Sequence, residues 1–166
     1  MLLLRLVRPK SIVSLQTGAL VVVEGRVVPR TALKVLGTNV DCVFHDTAVE
    51  EWKKGTRGGR AMWTPMRGEQ ELEPFEVEDA TGKILVWPEV GTVDVRGGRA
   101  ERIPARSGAR SVTRYIAPGD IVRVRGVVRV PPTPKKGKPR AALELGAPEG
   151  GKLVVLFRRA GAAQPG

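Results

Sequence analysis

The sequence predicts an all-β fold, a small curled barrel with long basic loops. Three observations carry that expectation. In PFEVEDATGKILVWP, residues 74–88, Phe75 and Val77 alternate with Glu76 and Glu78, the period of a half-buried strand. Asp79-Ala80-Thr81-Gly82 then supplies turn residues, with Gly82 suited to a positive φ, and an apolar run from Lys83 to Trp87 ends at Pro88. Second, LVVVEGRVV (20–28) and IVRVRGVVRV (121–130) share one pattern, each placing a glycine, Gly25 or Gly126, in phase with its inward valines. Closing a small barrel needs sharp bends, and a glycine on the core face leaves room for one. Third, twenty Gly and thirteen Pro among 166 residues interrupt nearly every window that a long helix would need.

In chain order, SIVSLQT (11–17) fits one helical turn capped by Ser11. The first strand follows, with Val21, Val23 and Val27 facing inward. Residues 40–53, VDCVFHDTAVEEWK, read as an extended segment ending near Trp52; GTRGGRAMWTPMRG (55–68) reads as an exposed loop or hairpin tip. After the 75–87 hairpin, residues 94–115 are rich in Arg and Gly, with Ile103 and Tyr115 as sparse anchors, and suggest a mobile excursion. Pro118-Gly119-Asp120 opens the 121–130 strand. PPTPKKGKPR (131–140) cannot pair as a central strand and reads as a solvated loop. A last hairpin is expected from RAALEL (140–145), a turn at Pro148–Gly151, and KLVVLF (152–157). One domain is expected over 1–166, with its core in 11–158 and tails at 1–10 and 159–166.

The apolar start, MLLLRLV, is interrupted by Arg5 and is too short to span a bilayer, so a soluble chain is expected. A single cysteine, Cys42, excludes an internal disulfide framework and a Cys-rich zinc site, and points to a reducing compartment, the cytoplasm.

Charge is distributed unevenly. Between Arg96 and Arg140 lie thirteen Lys or Arg and two acids, which accounts for the whole net charge of +11. The acids Glu69, Glu71, Glu73, Glu76, Glu78 and Asp79 cluster elsewhere. Such asymmetry suits an anionic partner, either nucleic acid or a membrane surface, unless the two patches neutralise one another on a solvated surface. The candidate residues for binding an anion or a partner are Arg96, Arg99, Arg102, Arg106, Arg110, Arg114, Arg123, Arg125, Arg129, Lys135, Lys136 and Lys138. Arg123, Arg125 and Arg129 share one strand face, opposite Val122, Val124, Val128 and Val130, and could track a phosphate backbone. Single-strand binding also needs aromatic platforms. Phe44, Phe75, Trp87 and Phe157 are explained by core packing, which leaves Tyr115, Trp63 and Trp52.

Catalytic constellations are not found. His45, the single histidine, has no Cys or His at ligand spacing and reads as a rim or surface residue. Cys42 and His45 differ in parity, which sets them on opposite faces of a strand. Glu78 and Asp79 are adjacent and face apart, with Asp79 better placed to bond the turn backbone. TRGGR and RGGRAER lack the strand-to-helix setting and the Lys-Ser/Thr ending of a phosphate loop. No cofactor and no metal are expected.

The order of motifs resembles a known family. VVVEGRVV (21–28), DCVFHDTAVEEW (41–52), PFEVEDATGKILVWP (74–88), APGDIVRVRGVV (117–128) and KLVVLF (152–157) are similar, in sequence order, to the GIDE domain, also called the BAM ("beside a membrane") domain. That domain occurs in mitochondrial E3 ubiquitin ligases and in many bacterial proteins. The resemblance implies an OB-like barrel that binds or scaffolds without catalysis. Its PF…EDxTG core also resembles nucleic-acid-binding OB folds. The chain departs from the family in lacking flanking transmembrane helices and the Cys/His-rich RING that holds zinc, so ligase activity is not carried over.

The reading is therefore a small OB-like β-barrel without enzymatic activity. It is expected to bind another protein or complex through its basic 96–140 region, with a membrane surface as one setting for that contact. Single-stranded nucleic acid held on Arg123, Arg125 and Arg129 is the alternative.

Overall fold

Runs of valine and isoleucine, broken every few residues by Gly, Pro or Asp, fold into short strands. A computed structural model describes residues 7–35, 37–55, 59–89, 91–104, 108–131 and 143–161. A 3-10 turn, Ile12–Ser14, precedes β1 (Leu20–Pro29), β2 (Leu33–Lys34), β3 (Asp41–Cys42), β4 (Phe44–Lys53) and β5 (Met62–Leu72). Then come β6 (Phe75–Asp79), β7 (Gly82–Val86), β8 (Val93–Arg96), β9 (Arg99–Pro104), β10 (Ala109–Ile116), β11 (Ile121–Arg129), β12 (Glu144–Gly146) and β13 (Leu153–Arg159).

Five strands close into a barrel in the order β1-β6-β7-β12-β11, with β11 returning to β1. Neighbours are antiparallel except β7 and β12, which are parallel. Counted along the chain these are barrel strands one, two, three, five and four, the closure of an OB-like barrel. One core holds the inward residues of the first, second and fourth barrel strands: Val21, Val23, Val27, Phe75, Val77, Val122, Val124 and Val128. Ile84, Val86 and Leu145 complete it from β7 and β12.

Both core-facing glycines sit where a strand changes neighbours. β1 pairs with β11 up to Arg26 and with β6 from Arg26 onward, so Gly25 lies at the corner. A Cβ on Gly25 would run into the Glu78 carbonyl. On β11, residues 121–125 pair with β13 and 127–129 with β12, and Gly126 sits at the switch. A Cβ there would lie 2.8 Å from the Gly146 carbonyl oxygen and 2.8 Å from Leu153. The last two strands are therefore not a hairpin, as the sequence suggested. They run in the same direction, end to end along one edge of β11, and residues 147–152 loop out at the bend.

The second sheet, β5-β4-β10-β9, is antiparallel and was only half foreseen. Residues 94–115 are not an excursion: they supply β8, which lies parallel to β13, and the β9–β10 pair. At the barrel end, Phe44, Leu72 and Ile116 pack with the main core. The opposite face there buries Tyr115 with Val35, Cys42 and Ala117, under the small β2–β3 sheet. Tyr115 is 9% exposed, which removes it as a stacking platform. His45 is 4% exposed and not at the rim; its Nε2 lies 3.3 Å from Glu71 and its Nδ1 has no partner. Trp87, expected in the core, is 41% exposed because it falls one residue beyond the inward Val86.

Two carboxylates organise the loops. Asp79 Oδ1 accepts from Thr81 N and Oγ1, each at 2.6 Å, and from Gly82 N at 3.0 Å, forming an Asx-type turn. Gly82 is not among the positive-φ glycines, so the expectation of a left-handed Gly82 is corrected: the aspartate side chain shapes this turn. Asp79 Oδ2 also accepts from Ile12 N at 2.9 Å, and Thr81 Oγ1 accepts from Val13 N at 3.2 Å. Ser11 makes no side-chain cap; the hairpin turn caps the 3-10 turn instead. Asp120 is fully buried, accepts from Ala117 N and Gly161 N at 2.9 Å each, and meets Arg99 at 2.5 Å.

Candidate partner-binding surface

Six of the predicted site residues are cross-linked to carboxylates. Arg96 meets Asp94 at 2.6 Å and Arg99 meets Asp120, whose hydrogen bond holds the guanidinium pKa above its ordinary value. Arg110 and Arg114 reach straight across β10 to β4, meeting Glu50 at 2.7 Å and Asp46 at 2.8 Å. Arg129 joins Glu144 at 2.6 Å to Glu89 at 2.8 Å. Arg123 is 7% exposed and lies 2.7 Å from Glu24, its direct partner across β1 and β11. Cations held this way are shared with the fold, and a phosphate there would compete with the carboxylate already bound.

Arg102 and Arg125 form no ion pair among the described residues. Arg102 projects from β9, whereas Arg125 lies on the barrel beside Arg8, Lys10 and Leu20. Arg106, Lys135, Lys136 and Lys138 lie outside the described residues. The face shared by Arg123, Arg125 and Arg129 exists, since all three point away from the core valines. The structure does not bring the candidates into one uncompensated patch. The partners of Arg110, Arg114, Arg123 and Arg129 were hidden in the sequence because they are cross-strand neighbours. One was within reach: pairing VVVEG antiparallel with VRVRG places Glu24 opposite Arg123.

OB barrels that bind oligonucleotides use the outer face of barrel strands two and three. Here those strands present Glu76, Glu78, Lys83 and Leu85. Arg26 hydrogen-bonds Glu78 and holds its carboxyl below the usual range, and Lys83 lies 3.4 Å away. Trp87 stands exposed just past β7. Glu76 and Glu78 are balanced here by Arg26 and Lys83, so this face offers no basic track for a phosphate chain.

The end of the second sheet farthest from the barrel is different. Trp52 on β4 and Trp63 on β5 are direct cross-strand partners, with ring centroids 5.4 Å apart and planes tilted by 59°. The Arg110 guanidinium lies 4.1 Å from the Trp63 ring centroid, while its Nε donates to Glu50 at 2.7 Å. Aromatic ring, guanidinium and carboxylate thereby fix one another. Trp52 is 50% exposed, Met62 64% and Met66 51%. Val49 opposes Arg67 and Glu50 opposes Pro65, so Met66 bulges out of the ladder. Trp63, Arg102, Pro104, Gly108, Ala109 and Arg110 line an open cleft of about 290 Å³ beside this stack. The sequence named Trp52 and Trp63 as possible platforms but not their pairing, which follows from the β4–β5 register.

Cys42 is buried, and burial together with the charges of Asp41 and Glu71 pushes its thiol up to about 11. Among the described residues no group of three or more His, Cys, Asp or Glu could hold a metal ion, and no helix is long and apolar enough to cross a membrane. Compared with models of protein families, with curated proteins and with solved structures, the chain matches none.

Proposed function

We propose that this protein is a non-catalytic binding module whose partner is another protein, engaged at the distal end of the second sheet. The observation that carries the reading is the exposed Trp52, packed at a tilt against a Trp63 that Arg110 and Glu50 hold in place. Trp, Met and Arg are the residue types enriched at protein interfaces, and pre-ordered aromatic side chains lose little entropy on binding. Met66, bulged from β5 next to Pro65, adds adaptable apolar surface on the same strand as Trp63. The resemblance to GIDE domains supports a binding or scaffolding role of the same kind. The absence of catalysis is part of the proposal. It is favoured by the burial of His45 and Cys42, which keeps both side chains from a substrate.

Six arginines of the basic region contribute less than their charge suggests, because they neutralise carboxylates within the fold. Nucleic acid is accordingly the weaker reading, and the charge-balanced outer face of β6 and β7 offers it no basic track.

Affinity capture from extracts of the source organism tests the proposal, comparing wild type with Trp52→Ala and Arg125→Ala, with and without nuclease. Wild type and Arg125→Ala are expected to retain the same proteins, Trp52→Ala to lose them, and nuclease to change nothing. Identical retention by Trp52→Ala, or nuclease-sensitive recovery, would overturn it.

A further inference from the structure

The distal end of the second sheet carries more positive charge than it can pair. Over the described parts of residues 50–67 and 102–110, six basic side chains face two acids, Glu50 and Glu51. Both acids are engaged, Glu50 with Arg110 at 2.7 Å and Glu51 with Lys53 at 3.9 Å. Lys54, Arg60, Arg67 and Arg102 form no ion pair among the described residues; Arg67, opposite Val49, lies on the other side of the sheet from Trp52. Arg102 borders the cleft beside Arg110, whose Nε donates to Glu50. Two guanidiniums therefore border a cleft the size of one or two side chains, with the Trp63 ring and Pro104 as apolar walls. Outside it stands Trp52 with an exposed ring.

We infer that this surface takes an acidic peptide segment of a partner protein, with one carboxylate in the Arg102–Arg110 cleft and a neighbouring aromatic side chain on Trp52. The inference rests on the protein-binding reading above and specifies the partner's chemistry. Guanidinium pairs suit carboxylates because their fork matches two oxygens. Single-stranded nucleic acid fits less well. Arg110 covers one face of Trp63 and Trp52 abuts the ring, so Trp52 alone is left to stack, whereas strand binders stack successive bases. A phosphate chain crossing this face would also pass Glu50 and Asp46, which lie on the same side of β4. A peptide with spaced carboxylates avoids both.

Fluorescence anisotropy with labelled random copolymers tests the inference, using poly(Glu,Tyr) and poly-Glu of equal length, with oligo(dT) and anionic phosphatidylglycerol vesicles as further arms. Poly(Glu,Tyr) should bind about 10-fold more tightly than poly-Glu, and Trp52→Ala or Arg102→Ala should each weaken it by about 10-fold. Arg125→Ala, which removes an equal charge from the barrel, should change it less than about 2-fold. All three side chains are at least partly exposed, and thermal unfolding of each variant confirms that it folds. Equal binding of the two copolymers, indifference to Trp52→Ala and Arg102→Ala, no copolymer binding, or Trp52-dependent preference for oligo(dT) or vesicles would each overturn the inference. If the copolymer arms fail while Trp52→Ala still loses captured proteins, the acidic partner is excluded and the protein-binding reading stands.

Discussion

Asp79 accepts four hydrogen bonds, from Ile12 N, Thr81 N, Thr81 Oγ1 and Gly82 N. Burial pushes its carboxyl up, but the bonds from Thr81, Ile12 and Gly82 outweigh that and hold its pKa below the ordinary value. A carboxyl with a depressed native pKa contributes stability that is present above its unfolded pKa and is lost as pH falls through the native one. Asp79→Ala should cost about 1–3 kcal/mol near neutral pH, measured by denaturant unfolding. The gap to wild type should hold down to pH ~4, the unfolded carboxyl range, and shrink below it. A gap under ~0.5 kcal/mol, or one constant from pH ~7 to ~2, would refute the assignment. The sequence announced this turn through its residue types, yet credited Gly82 with the geometry. Residue type marks where a chain turns; a side chain that reaches forward two and three residues decides how.

At the scale of the element, the barrel strands were legible and the second sheet was not. The valine strands advertise one buried face each, and their matched glycines advertise the bends. Gly126→Ala should destabilise the fold by about 1–3 kcal/mol, since the new methyl must displace a backbone carbonyl as well as the flexible Leu153. Measurement by thermal or denaturant unfolding checks this, and an unchanged stability would show that the strand junction is looser than described. Strands β9 and β10 escaped because RAERIP and ARSVTRYI alternate arginine with small or apolar residues, which resembles a polar loop until Asp46 and Glu50 are seen opposite. Edge strand β5 is protected against pairing with another chain by Pro65, by the Met66 bulge and by its charged run from Arg67 to Glu71.

For the whole molecule, net charge was the most visible sequence feature and the least direct guide to the surface. Six arginines of the 96–129 segment are paired, five of them linking strands to one another or to loops and Arg96 within its own strand, through carboxylates scattered from Glu24 to Glu144. The acidic cluster of residues 69–79 supplies none of these six partners; its Glu78 pairs with Arg26 and Lys83 instead. Composition could not separate charges that hold the fold together from charges that face solvent, because that depends on register. The exposed aromatic side chains then distinguish two faces: Trp52 at the distal sheet and Trp87 on the barrel. Met62, opposite Lys53, lies on the other side of that sheet from Trp52. Oxidative footprinting by mass spectrometry, in extract of the source organism against buffer, reads all three residues at once and tests the central claim most directly. Protection of Trp52 with Trp87 and Met62 still oxidised is the predicted result. Protection of Trp87 while Trp52 stays open would contradict it and move the partner to the barrel face.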